Sequence, residues 1–172
     1  MDDLIAFLRF LHARLDDDQL WAVEASRRDE GQAQPGGVHW QWVEPETDVA
    51  VEPDPSRGPM LTDEAENFRF SLRSVEEFPT SYSGTLPQFA IHTAEEVPAA
   101  VAGHIARHDP ARVLAEVDAK RRMLAIHHPY VPEPDQACLG CAGGIVWTDC
   151  PVLRLLALPY ASHPDYRAEW RP

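Results

Sequence analysis

The chain has 172 residues, 44% hydrophobic and 25% charged, with 28 acidic against 15 basic side chains and a formal net charge of -13. That is ordinary globular composition, sufficient for one core or a core with a small satellite module. No apolar run approaches the ~18 residues that a membrane-spanning helix needs, and the negative excess disfavours general binding to a phosphate backbone.

The charge is uneven. Residues 1–100 carry 20 acidic and 7 basic side chains, whereas residues 101–172 carry 8 of each. Nucleic-acid binding by residues 1–100 is therefore disfavoured. Mimicry of a polyanion would use the same charge, but most such excess is solvated surface. Met1-Asp2-Asp3-Leu4 lacks the basic start and apolar run of a secretory signal, so the expected compartment is the cytoplasm. Fourteen of the 15 basic residues are Arg and one is Lys120, a bias that fits a G+C-rich genome.

Leu4, Phe7, Leu8, Leu11 and Leu15 share one face at helical spacing, with Asp2 and Asp3 at the end where the helix dipole favours negative charge. Asp16-Asp17-Asp18 interrupts the stripe, and a helical continuation runs through Leu20, Trp21 and Val23. Residues 26–37 are a polar connection. The period then changes to two: Val38, Trp40 and Trp42 alternate with His39, Gln41 and Val43, which predicts a half-buried strand. A weaker strand is expected near Asp48–Val51 and a proline-rich loop over Glu52–Asp63. Strands follow at Phe68, Phe70 and Leu72 and, after the turn-rich Pro79–Pro87, at Phe89 and Ile91. Together they predict an antiparallel sheet of three or four strands with one face on the first helix.

Helix returns after Thr93, where Thr93 and Glu96 have capping-box spacing, and a short helix is expected over Ala99–Arg107. Asp109-Pro110 restarts it as N-cap and first helical residue, giving a helix from Pro110 to His127 with Val113, Val117 and Leu124 inward. His128 precedes Pro129, which disfavours the α conformation and stops the helix. Pro129–Asp149 reads as free of helix. Cys150-Pro151 opens a last apolar helix that ends before Pro159, and Tyr166 and Trp170 in the tail fold back on the core.

The three cysteines, Cys138, Cys141 and Cys150, carry the clearest chemistry. Two thiols in Cys-Leu-Gly-Cys can point at one cation from a tight knuckle, with Gly140 read as the source of the turn's backbone freedom. Cys150 falls at a helix start, where the dipole favours the thiolate that binds metal. A structural zinc ion needs four ligands. His127, at the end of the preceding helix and three residues after Leu124, is the best fourth, with His128 and His163 as alternatives. A redox Cys-x-x-Cys would open a helix, which Ala142-Gly143-Gly144 does not. A disulfide is disfavoured in a reducing compartment and would leave one thiol over.

His104 and His108, four apart and followed by Asp109, contain the elements of a two-His, one-carboxylate metal set, although Asp109 is better explained as a cap. No nucleophile elbow, phosphate loop or dinucleotide fingerprint occurs. Arg107, Arg112, Lys120, Arg121 and Arg122 form a basic series that reads as the solvated face of a helix, with nucleic-acid contact as its alternative use.

The stretches His104–Val117 (HIARHDPARVLAEV), Ala119–Arg122, Leu153–Ala161 (LRLLALPYA) and His163–Arg167, with Glu169-Trp170, resemble an uncharacterised family from actinomycetes and their phages, domain-of-unknown-function family 6221. Met1–Leu8 and Ala13–Asp16 are similar to it too. The resemblance covers both ends of the chain and not residues 30–92. It implies an origin and a cytoplasmic or phage context, and no activity.

The reading is thus an α+β protein: an N-terminal helix, a small antiparallel sheet, and C-terminal helices around a zinc-knuckle-like loop. Residues 1–100 are expected to form an acidic helix-plus-sheet part and 101–172 a helical part with the Cys-rich site, with one continuous domain as the alternative. The expected role is a zinc-stabilised, non-catalytic interaction or adaptor protein with a protein partner. The alternatives are a metal-dependent hydrolase using His104, His108 and Asp109, and a nucleic-acid-binding zinc module.

Overall fold

The computed structural model describes residues 2–27, 37–44, 47–54, 56, 70–80, 83–94, 97–131, 133 and 135–172. The expected strand position at Phe68, most of the loop before Asp63 and the capping-box residue Glu96 lie outside them. The chain divides into two compact units: a terminal unit of Met1–Gln19 with Ala115–Pro172, and a central unit of Leu20–Leu114. Helix α1 (Asp2–Ala25) and helix α3 (Pro110–Ile126) each run through the boundary.

The central unit is built on a four-stranded antiparallel sheet. Its strands are β1 (Trp40–Val43), β2 (Ala50–Val51), β3 (Phe70–Ser74) and β6 (Ala90–Ala94), in the order β2-β1-β3-β6. Trp42 lies opposite Leu72 and Val51, so the large apolar side chains that alternate along each strand stack on one face. Trp42, Phe70 and Leu72 are buried there with Ala102 of helix α2 (Ala99–Arg107). Trp42 donates its indole N–H to the Ala102 carbonyl at 2.9 Å, which satisfies a polar atom that burial would otherwise penalise.

The helix that covers this face within the unit is α2, whose Ala99, Ala102 and Gly103 allow close approach of the sheet. One expectation changes here: the middle strands are not half-buried, since Val43 and its partner Ser71, on the opposite face, are buried as well. Pro79–Pro87, read as turn-rich, belongs to a two-stranded hairpin of β4 (Glu77–Thr80) and β5 (Gly84–Pro87). Ser83 beside its turn takes a left-handed φ of 58°.

The terminal unit is helical. Leu4, Phe7, Phe10, Leu11 and Leu15 of α1 are buried, as are Val117 and Leu124 of α3. Leu153, Leu156 and Ala157 of helix α4 (Pro151–Ala157) are buried too. The tail does fold back: the Trp170 ring meets Phe7 edge-on at 5.4 Å and lies 5.1 Å from Phe10. Polar links join the same elements. Tyr160 bonds Asp18 at 2.5 Å, Lys120 reaches the Tyr160 hydroxyl at 3.4 Å, and Arg121 pairs with Asp16 at 2.6 Å. Burial first, and the Asp18 bond second, hold the Tyr160 phenol well above its usual range, so it remains a donor. No helix among the described residues is long and apolar enough to cross a membrane.

Candidate metal centre

Four side chains from three places in the terminal unit converge. His127 follows the last residue of α3, its N–H bonded to the Met123 carbonyl at 3.0 Å in the last helical turn. The helix stops there because Pro129 constrains His128. The chain then forms a knuckle. Isolated antiparallel bridges join Pro129 to Cys138 and Ala137 to Val146, Cys138 N donates to Ile145 O at 2.8 Å, and Leu139 N donates to His128 O at 2.9 Å. Cys141 N closes a tight turn on Cys138 O at 3.2 Å. A single 3-10 turn, Trp147–Asp149, lies in the stretch read as free of helix. It anchors the knuckle, since the buried Trp147 donates its indole N–H to Glu133 O at 2.9 Å. Its last residue leads into Cys150, the N-cap of α4.

The geometry at the convergence is regular. His127 Nδ1 lies 3.5 Å from the sulfurs of Cys138, Cys141 and Cys150 alike. The Cys150 sulfur is 3.7 Å from that of Cys138 and 3.5 Å from that of Cys141, and all four ligand atoms lie within 4.8 Å of one another. A tetrahedral cation with sulfur bonds of about 2.3 Å and a nitrogen bond of about 2.0 Å requires sulfur–sulfur edges of about 3.8 Å and nitrogen–sulfur edges of about 3.5 Å. The donor set therefore fits one tetrahedral ion. All three cysteines are free, and Cys138 and Cys150 are buried.

The electrostatics point the same way. Without a cation the Cys141 thiol is pushed up to about 12, by desolvation first, then by its hydrogen bonds with Cys150 and Cys138 and by their charges. Three thiolates in one place repel each other, and a divalent ion at their centre inverts that balance. This is the one His/Cys/carboxylate group among the described residues arranged to hold a metal ion.

Gly140 has a role the spacing did not reveal. A Cβ there would lie 2.7 Å from His127 Nδ1 and 2.8 Å from its Cγ. The glycine is needed for space, so that the imidazole can lie against the knuckle. Its φ is not in the left-handed region, which Gly143 and Gly144 occupy instead. A glycine enclosed between two ligands was the available signal.

The other singled-out residues lie elsewhere. The exposed His128 bonds its neighbour Pro129's carbonyl through Nδ1 at 2.9 Å, and His163 meets Arg14 and the Phe10 ring; neither joins the cysteines. The His104 and His108 rings lie 4.0 Å apart, and His108 Nδ1 donates to the His104 carbonyl at 2.8 Å. Asp109 serves as the cap of α3, accepting from Arg112 N at 2.9 Å and from Trp40 N at 3.4 Å. Of the basic series, Arg122 pairs with Asp118 at 2.8 Å, Arg121 and Lys120 make the links given above, and Arg107 and Arg112 lie in the central unit.

Fold and site together define an α+β protein with a Cys3His cluster able to bind one metal ion. No curated protein and no solved structure matches the chain. A family model does, over residues 1–172: the chain belongs to the family of unknown function (DUF6221). The match extends through the middle segment that the resemblance of the two ends had left open.

Proposed function

We propose that this chain is a zinc-stabilised, non-catalytic interaction protein that binds a protein partner in the cytoplasm. The observation that carries the reading is the equal 3.5 Å separation of His127 Nδ1 from three sulfurs. Three thiolates and an imidazole in a tetrahedron are a closed donor set with no position left for substrate, which is the pattern of structural zinc. Soft sulfur ligands favour zinc over the hard cations that take oxygen. Free thiols fit a reducing compartment, and the arginine bias with the family resemblance supports an actinobacterial or phage origin.

The segment that carries the ligands also presents apolar side chains to solvent: Ile126, Tyr130, Val131, Leu139 and Ile145 are exposed. Exposed large apolar groups of this kind are what protein interfaces use. Elemental analysis of the purified chain is expected to give one zinc per molecule, retained through dialysis and released by a strong chelator. Cys138→Ser and Cys150→Ser are each expected to abolish retention. A folded chain that holds no zinc when supplied with it would overturn the reading.

A further inference from the structure

Of the three thiols at the metal centre, Cys141 alone is not buried. It stands at an open edge of the knuckle. Ala142, Gly143 and Gly144, which follow it, are exposed, and a Cβ at Gly143 or Gly144 would meet nothing within 4 Å. On its inner side the buried Cys150 sulfur lies at 3.5 Å and is itself 3.7 Å from the sulfur of the buried Cys138. One thiol is thus within reach of a small solute, and a second is held in contact with it from behind. An accessible cysteine poised next to a resolving cysteine is the arrangement that senses oxidants. A bound divalent ion keeps its sulfur ligands as thiolates, the form that attacks peroxides.

We infer that, in the zinc-bound state proposed above, the metal centre is a reversible oxidation switch: a hydroperoxide converts Cys141 and Cys150 into a disulfide and the zinc is released. The Cys141 thiolate attacks one oxygen of hydrogen peroxide. A sulfur–oxygen bond forms, the oxygen–oxygen bond breaks, and hydroxide leaves. The Cys150 thiolate then attacks the Cys141 sulfur. The disulfide forms, the new sulfur–oxygen bond breaks, and a second hydroxide leaves. The pair of sulfurs loses two electrons, the peroxide gains them, and both hydroxides take up protons from solvent as water. Contact between the two sulfurs favours this closure over further oxidation of Cys141.

Cys138 and His127 then remain, two donors where structural zinc needs four. The segment that loses its ion is otherwise paired, among the described residues, by two isolated bridges and a few backbone bonds. It carries the exposed Tyr130, Val131, Leu139 and Ile145. Oxidation therefore disorders the apolar surface offered to the partner.

The experiment adds hydrogen peroxide in small steps to the zinc-loaded chain without reductant. A chromophoric indicator follows released zinc, and mass spectrometry follows the thiols. Chymotryptic cleavage after Leu139 and Trp147 separates the three cysteines into different peptides. Zinc release in proportion to peroxide consumed is expected, with loss of two hydrogens from the chain and a Cys141–Cys150 cross-link. Dimedone present during oxidation should label Cys141. Amide exchange over residues 127–150 should rise on oxidation, and dithiothreitol with zinc should reverse every change. Three results would overturn the switch while leaving structural zinc intact: zinc that stays bound as peroxide is consumed, label that falls first on Cys138 or Cys150, or release only with sulfinic or sulfonic acids that dithiothreitol does not reverse. A chain that holds no zinc before peroxide is added would overturn the zinc-bound state, and the switch with it.

Discussion

A methyl group added at Gly140 has nowhere to go: 2.7 Å from His127 Nδ1 is well inside van der Waals contact, and the neighbour is a ring held by its helix. Gly140→Ala should therefore push the imidazole out of the tetrahedron. About a 10–100-fold loss of metal affinity is expected, the range found when a ligand's support is removed, measurable by competition with a chromophoric chelator. Gly143 makes the opposite case. Its φ of 83° is unfavourable for any L side chain, but a Cβ there meets nothing within 4 Å. Gly143→Ala should cost about 1–2 kcal/mol of backbone strain in denaturant unfolding and leave metal affinity close to wild type. Tyr160 gives a third residue-scale test. Tyr160→Phe removes the donor to Asp18 and the acceptor for Lys120, an expected cost of about 1–2 kcal/mol. Because the folded state raises the phenol's pKa, the folded protein keeps a proton that the unfolded chain gives up near pH ~10. The stabilisation is complete below that pH and is lost as pH rises toward the folded value. The urea midpoints of wild type and variant should accordingly differ by a constant amount through neutral pH and converge under alkaline conditions.

At the scale of elements, chain punctuation was the most readable feature. Pro110 marks a helix start because it lacks a donor that a first turn does not use, and Pro110–Ile126 begins where that proline puts it; Ala99–Arg107 likewise begins where it was expected, with Pro98 just before it. Asp109 illustrates how one residue admits two readings. As a cap it accepts from Arg112 N, and Asn would do the same; as a metal ligand its charge would be essential. Asp109→Ala should lower stability by about 1 kcal/mol, whereas Asp109→Asn should unfold within a few tenths of wild type and retain metal in full. Thermal unfolding of both variants with zinc analysis checks this. Sequence patterning was weaker for strands. The alternation at Trp40–Val43 and Phe70–Leu72 located β1 and β3, but a period of two states which residues share a face and not what covers each face. The burial of Val43 and Ser71 was therefore not visible. The hairpin at Glu77–Pro87 was missed because its prolines and glycine look like punctuation, whereas two short strands can accommodate them.

At the scale of the whole molecule, the two compact units differ in what holds them. The central unit has a sheet-and-helix core in which Trp42, Phe70, Leu72 and Ala102 are buried together. The terminal unit has α1, α3 and α4 with a knuckle whose regular pairing, among the described residues, is two isolated bridges and a few backbone bonds. With so little ladder structure, this segment would take its order from a metal ion bound at the Cys3His cluster. Chelation is expected to speed amide hydrogen exchange over residues 127–150 by orders of magnitude while amides of β1 and β3 keep their protection, as mass spectrometry of proteolytic fragments would record. Equal loss of protection in both regions would mean that the metal supports the entire chain.

The order of residues alone determined the helix starts, the apolar stripe of α1 and the choice of Cys138, Cys141 and Cys150 with three candidate histidines, because each depends on chemistry repeated at short spacing. Only the tertiary structure decided that His127 and not His128 or His163 faces the sulfurs, that Gly140 is there for room, and that Cys141 alone of the three cysteines is not buried. Those facts depend on which distant segments pack together, and packing is set by the sum of many weak contacts that no local pattern encodes.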